Sequence, residues 1–461
     1  MEEINMCRLK LKKTKKIMAM LMAATVLVGC GGGNNPIASS KPKVTSENKT
    51  EADIKNFQET TLNKQEMLEQ QKKFTKGINQ FSYRIFEKSE NGENTFLSPY
   101  SIATAFSMLA NGAEGETKQE IMDLLKIQDL EKWNAYIKEY TSLYEKEDTK
   151  LLTANSVWVS NRFPLSPRAE QEFFAPLTTY YHGKQEQQDL STDIAREKIN
   201  SWVSEHTDGM INPFLKDNLD SSVQMLLANA VYFKGNWASE FKKEDTEKLM
   251  FQGANKETKA DMMCMYGENF KYIEKNGIRG VELPYMGNNF AMDIIIPTEQ
   301  EIYFKKNDAK DNKDKLSNTN IRELFGSLSQ KEKDEIFNAF DKAETQEIFT
   351  LKIPKFTMEY EAKELKDSLK ELGLSSVLSK NGNFDKIAKG IYVDKVLHKA
   401  KIEVDEKGTK ASAVTGIMMK NEAAVLDREE INFIVLQPFI YVIRDIKTGT
   451  ILFMGNMQDM V

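Results

Sequence analysis

Few side chains in this chain could do covalent or acid–base chemistry. Its 461 residues hold three histidines, His182, His206 and His398, and three cysteines, Cys7, Cys30 and Cys264. No Gly-x-Ser-x-Gly elbow, Gly-rich phosphate loop, dinucleotide fingerprint or His-Glu-x-x-His pair occurs. The cysteines form neither a disulfide framework nor a metal-ligand spacing, so no metal and no cofactor is expected. Cys264, within MMCMY, suits a buried small hydrophobe. The net charge is −6, and the lysine-rich stretches alternate with Asp and Glu. Such a surface is solvated rather than basic, which argues against a nucleic-acid partner. An enzyme is not expected from this inventory.

Cys30 invites a different chemistry. Arg8, Lys10, Lys12, Lys13, Lys15 and Lys16 precede an apolar run from Ile17 to Gly29, IMAMLMAATVLVG. That run is short for a bilayer span and suits the core of a signal peptide, residues 1–29. It ends in Leu27-Val28-Gly29-Cys30, which resembles the lipobox of bacterial lipoproteins. There the cysteine thiol takes a diacylglyceryl group, and two acyl chains anchor where one does not. The expectation is a mature chain beginning at lipidated Cys30, on the extracytoplasmic face of a cell membrane. Residues 30–60, rich in Gly, Asn, Ser, Lys and Pro, would form a flexible tether.

The remaining stretch of note is EVDEKGTKASAVTGIMMKNEAAVLDR, from Glu403 to Arg428. Read with a period of two, Thr409, Ala411, Ala413, Thr415, Ile417 and Met419 form an uncharged face that begins small. Lys410 and Lys420 fall on the other face with Ser412, Val414, Gly416 and Met418. Gly408, Gly416 and the Ala-Ser-Ala run give weak strand propensity, so the segment can be loop or strand. Its composition alone would also suit a plain surface loop.

Around it stand elements able to position such a segment. Phe74, Ile78, Phe81, Ile85 and Phe86 take helical spacing. Ser98-Pro99 opens a helix whose Ala103, Ala105 and Ser107 imply close packing. LLTANSVWVS (151–160) and the apolar run from Met225 to Phe233 predict buried strands, the second holding Asn229, which needs a hydrogen-bond partner. A helix lies within 194–217, and 281–285 with 290–297 predict a strand pair. Residues 299–347 turn polar, with one surface helix from Ile321 to Phe340. A strand, a helix ended by Gly373, a strand through VLHKAKIEV and two C-terminal strands follow.

NTFLSPYSIATAFSMLANGA, KIEVDEKGTKASAVTG and INFIVLQPFIYVIRDIKTGTILFMGNM together resemble the serpins, in that family's order, over roughly Phe74 to Met457. The resemblance implies an α+β serpin fold of three β-sheets and about eight or nine helices. It places a single domain at 61–461, with an exposed reactive-centre loop at about 406–430. It implies a monomeric suicide-type inhibitor of a serine or cysteine endopeptidase, whose loop is cut and then inserts into the central sheet with the protease attached. The hinge would be Glu406, Gly408, Thr409, Ala411, Ser412, Ala413 and Thr415. The alternative is a non-inhibitory serpin, a surface binding or structural protein, but such members carry charged or bulky residues where this hinge is small. The resemblance also sets His398 and Asn229 under the sheet where the strands part, with Ser98 and Ser101 on the helix beneath. It pairs Lys355 with Glu406 at the top of the sheet, near Trp237. In inhibitory members of that family the distance from the hinge glutamate to the cut bond is nearly fixed, so the resemblance, counted over about seventeen residues with Glu406 as the first, implies a reactive bond between Glu422 and Ala423. If extra loop residues precede the cut, Leu426 or Arg428 becomes the specificity residue.

Overall fold

The computed structural model describes residues 57–89, 91–143, 149–298, 319–362, 365–409 and 430–460. Cys30, Ala411, Ser412, Ala413, Thr415, Glu422, Ala423, Leu426 and Arg428 lie outside the described residues, as does the polar stretch 299–318.

The helical spacing from Phe74 to Phe86 belongs to α1 (Lys64–Ser89), which buries all five apolar residues. Phe57 meets the Tyr180 ring at 5.8 Å and the Thr60 amide donates to the Tyr180 hydroxyl at 2.7 Å, so packing begins ahead of residue 61. The chain continues through β1 (Thr95–Leu97), α2 (Pro99–Ala110), α3 (Gly115–Leu125), α4 (Leu130–Ser142) and β2 (Lys150–Ser160). Next come α5 (Ala175–Tyr181), β3 (Lys184–Gln188), α6 (Asp193–His206), β4 (Met225–Asn236), β5 (Glu247–Gln252) and β6 (Glu257–Lys275). Then follow β7 (Ile278–Pro284), β8 (Phe290–Pro297), α7 (Ile321–Ser327), α8 (Gln330–Lys342), β9 (Thr345–Pro354) and β10 (Phe356–Glu361). The chain closes with α9 (Leu365–Glu371), β11 (Lys395–Asp405), β12 (Gly408–Thr409), β13 (Ile431–Ile434), β14 (Phe439–Asp445) and β15 (Ile451–Met457).

These are nine α-helices among the described residues, in an α+β fold. Strand pairing gives a six-stranded central sheet, β10-β11-β12-β4-β2-β3, and a nine-stranded sheet, β1-β15-β14-β8-β7-β6-β9-β13 with β5 on β6. Two of the three expected sheets are therefore continuous, because the 19-residue β6 pairs with β5 and β9 along its first part and with β7 at its end. The single helix expected over Ile321 to Phe340 is two. Ser329 and Glu332 form a reciprocal capping box that starts α8 afresh after α7.

Two layers clamp the central sheet. Below it lies α2, all of whose residues are buried; Ser98 caps it by accepting from the Ser101 amide at 3.1 Å, and Pro99 supplies its first turn. Above it, Ile199 and Val203 of α6 meet Ala154, Trp158, Leu226, Ala228 and Ala230 of β2 and β4. The small residues let helix and sheet approach closely, so a strand entering this sheet has to move a tight packing.

Candidate functional site: the parting strands of the central sheet

β11 and β4 pair directly and in parallel from Lys395–Leu226 to Lys401–Tyr232. Above that point they diverge, and β12 sits between them, antiparallel to both. Thr409 stands opposite Val404 on one side and Gly235 on the other; Gly408 stands opposite Asp405 and Asn236. The start of the predicted hinge thus already occupies the top of the gap.

Backbone sterics explain why glycine is needed at 408. Its φ is +148°, and a Cβ there would come within 2.2 Å of the Gly235 carbonyl oxygen and 2.6 Å of the Asn236 Cα. Thr409 points inward, fully buried, with its hydroxyl 2.8 Å from the Tyr285 hydroxyl. Tyr285 stacks on Trp237 at 4.6 Å between ring centroids. The Trp237 indole donates to the Asp405 carbonyl at 2.9 Å, and its amide donates to the Lys407 carbonyl at 2.9 Å. Trp237 therefore ties β4 to the turn that launches the hinge.

Glu406 is only 4 % exposed, so its charge is held inside the fold rather than on the surface. The Lys355 ammonium donates to both its oxygens, at 2.8 and 3.1 Å, and the Thr246 hydroxyl donates to one at 3.1 Å. Burial works against the charged form, yet the hydrogen bonds and charge of Lys355, with Thr246, hold the carboxyl below its usual range. Lys355 remains 38 % exposed. Solvent screening there limits the pair to about 1 kcal/mol, and its effect is to fix where the hinge begins.

The second cluster lies lower, where β11 and β4 still touch. His398 and Asn229 are paired residues of the parallel ladder, both buried. The Ser98 amide donates to His398 Nε2 at 3.2 Å, so the proton of the neutral ring sits on Nδ1 and is donated to Asn229 Oδ1. Asn229 Nδ2 in turn donates to the Ser101 hydroxyl at 2.6 Å, to the Ser101 carbonyl at 3.1 Å and to Asn155 Oδ1. The Ser98 hydroxyl donates to the Leu452 carbonyl at 2.7 Å. The cluster stitches three adjacent strands and α2 together by polar contacts beneath the sheet.

All the described site residues anticipated from the sequence fall in these two clusters. Asn155, Tyr285 and Thr246 are additions. The outward signal for Asn155 was a lone Asn in a buried strand, which like Asn229 demands a partner; it lies directly opposite Asn229 in the β2–β4 register.

Burial pushes the His398 pKa down to about 3. Its folded value lies below the unfolded value near 6.5, so its contribution to stability is present above about pH 6.5 and is lost as the pH falls toward 3. The melting temperature should accordingly decline on acidification from pH 6.5 to 4.5, before most carboxylates titrate. A His398→Gln variant should be less stable at neutral pH but show a flatter profile over that window. An equally steep profile in the variant would remove His398 as the cause.

The family profile described as Serpin (serine protease inhibitor) matches residues 76–460. An uncharacterised serpin-like protein of Thermococcus kodakarensis is 30 % identical over 452 residues, covering 95 % of this chain and 98 % of the relative. Human neuroserpin is 30 % identical over 393 residues, 82 % of this chain and 88 % of its own. Among solved structures, the thermophilic serpin tengpin in its native state aligns with a TM-score of 0.73 at 27 % identity, covering 87 % of this chain and 96 % of that one. With a matching profile over most of its length and a hinge seated between the parting strands of its central sheet, this chain belongs to the serpin family, whose members are typically protease inhibitors.

Proposed function

We propose that this protein is a suicide inhibitor of a serine or cysteine endopeptidase that works by inserting its cut loop between β4 and β11. The observation that carries the reading is the register of β12. Each step forward from Thr409 moves one residue back along both neighbours. Were an inserted strand to keep that register, Ala411 would fall opposite Phe233 and Ile402, Ala413 opposite Val231 and Ala400, and Thr415 opposite Asn229 and His398. The neighbours on this inner face are buried, several of them large, so small hinge residues are the ones that fit. Thr415 is the first hydroxyl on that face after Thr409, and it meets the one polar pair.

Insertion exchanges one parallel ladder for two antiparallel ladders, which pair slightly better per residue, and buries apolar area at ~25 cal/mol per Å². An intact loop is held at its far end, where β13 pairs with β9. Cleavage frees the first half, and the acyl-enzyme attached to it is carried to the opposite end of the sheet. Displacing catalytic atoms by about 1 Å can already cost 10²-fold in rate, so the acyl bond outlives the distortion.

The same register bears on the reactive bond. Met419 would fall opposite Met225, the first residue of β4, so 408–419 fill that strand's length. Three further residues reach Glu422, whereas Leu426 needs seven and Arg428 nine. Four surplus residues add ~13 Å of slack and leave the protease less distorted. Glu422–Ala423 is therefore preferred. The test is a panel of serine and cysteine proteases, scored for complexes that survive denaturing gels, with N-terminal sequencing of the small released fragment. A terminus at Ala423 supports the register; one at Asp427 or Glu429 overturns it in favour of Leu426 or Arg428.

We further propose that Cys30 is lipidated and holds the inhibitor at the extracytoplasmic membrane face, a reading supported by the Leu27–Cys30 motif. Cys30→Ala should release the protein or leave it unprocessed. Identical fractionation of parent and variant, with no lipid on either by mass spectrometry, contradicts it.

A further inference from the structure

β4 and β11 have to separate if a cut loop is to enter between them, and each is anchored to its own half of the sheet. β4 pairs with β2 from Met225–Val159 to Lys234–Lys150, and β11 pairs with β10 from Lys399–Glu361 to Val404–Phe356. We propose that Asp394 is a positioning residue that latches the two halves together at the end farthest from the hinge, and that this latch opens only when an inserted strand fills the gap. This rests on the insertion reading and adds its last step.

Asp394 immediately precedes β11 and bonds across the seam twice. Its amide donates to the Met225 carbonyl at 3.1 Å, and its carboxylate accepts from the Gln224 amide at 2.6 Å. The second bond is charge-assisted, which places it among the stronger kind. On the β4 side the lead-in is fixed to β2. The Ser160 amide donates to the Gln224 carbonyl at 2.7 Å, and the Arg162 guanidinium donates to the Val223 carbonyl at 3.2 Å. On the β11 side the Lys366 ammonium of α9 donates to the Asp394 carbonyl at 2.8 Å, and the Tyr392 hydroxyl lies beside its carboxylate. Each partner of the latch is thus held by its own half, and the seam runs between them. Neighbouring strands lie about 4.8 Å apart, so a strand entering between β4 and β11 widens their separation to about 10 Å. Bonds of 2.6 and 3.1 Å do not survive that. The His398–Asn229 bond crosses the same seam midway along β11. Asp394 lies beyond the last ladder pair, Lys395–Leu226, so a strand advancing from the hinge reaches it last. When the latch opens, Asp394 keeps Tyr392 and Lys366 on its own side and is not left as an isolated buried charge.

The test compares the melting of full-length protein before and after a single nick by a glutamate-specific endopeptidase, with the cut located by mass spectrometry. Nicked parent should melt well above intact parent. Asp394→Ala should lower the intact melting temperature by a few degrees and leave the nicked one unchanged, so that the gain on nicking grows. Asp394→Asn, whose side-chain oxygen still accepts, should do the same to a smaller extent. A residue that merely stiffens the fold would lower both forms alike. Equal falls in the intact and nicked variants, or no fall in the intact ones, overturn the latch while insertion stands. No gain on nicking the parent overturns the insertion reading and the latch with it.

Discussion

Thr409→Arg should convert the protein from a trap into a substrate: cut at the same bond, but forming no lasting complex. Thr409 is fully buried beneath the seated hinge, with its hydroxyl on Tyr285 and the Tyr285 ring on Trp237. Burying a guanidinium there without a carboxylate costs several kcal/mol. Carboxylates at this end of the sheet are already engaged, Glu406 by Lys355 and Thr246 and Asp405 by the amides of Lys407 and Gly408. The arginine should therefore expel β12 and block the strand that follows it. Thr409→Ser, which keeps the hydroxyl, should trap nearly as well as the parent. Undiminished trapping by Thr409→Arg would sink the insertion mechanism for this chain.

The largest effect on stability should come from Arg444, fully buried on β14. Its guanidinium donates to Glu282 at 2.8 Å, to Asp341 at 2.9 Å and to Asp293, and lies over the rings of Phe337 and Phe340. Burial, together with the charges of Glu282 and Asp341, holds the Asp293 carboxyl above its usual range despite the arginine. Lys271 helps only Glu282, at 3.1 Å. Arg444→Met would leave Asp293 buried and unpaired, a loss on the order of 3–5 kcal/mol. Adding Asp293→Asn should restore part of it, because a neutral amide does not need the arginine. A change under about 1 kcal/mol in denaturant unfolding of Arg444→Met would contradict this account.

Much of this was legible in the residues, for reasons that differ between elements. Ser98-Pro99 announces a capped helix, and α2 begins there. The apolar run holding Asn229 announces a buried strand with a debt in hydrogen bonds, and β4 and its partners meet it. The resemblance brought His398 and Asn229 together, and the ladder places them side by side. Register was not legible. Asn155 faces Asn229 only because β2 and β4 are antiparallel in one particular alignment. Likewise the carboxylates around Arg444 come from β7, β8 and α8, which no single stretch reveals, although one arginine in FIYVIRD should have prompted a search for carboxylates. The polar composition of 319–343 concealed the break between α7 and α8, because a capping box consists of the same polar residues as a helix surface.

The most direct measurement of the central claim is the thermal melt of the protein before and after a single cut in its loop. If the seated β12 is the start of a strand that continues between β4 and β11, the cut chain should melt well above the intact one, with both fragments still associated. A cut chain that melts with the intact one, or below it, would contradict insertion and leave this protein a serpin without the inhibitory transition.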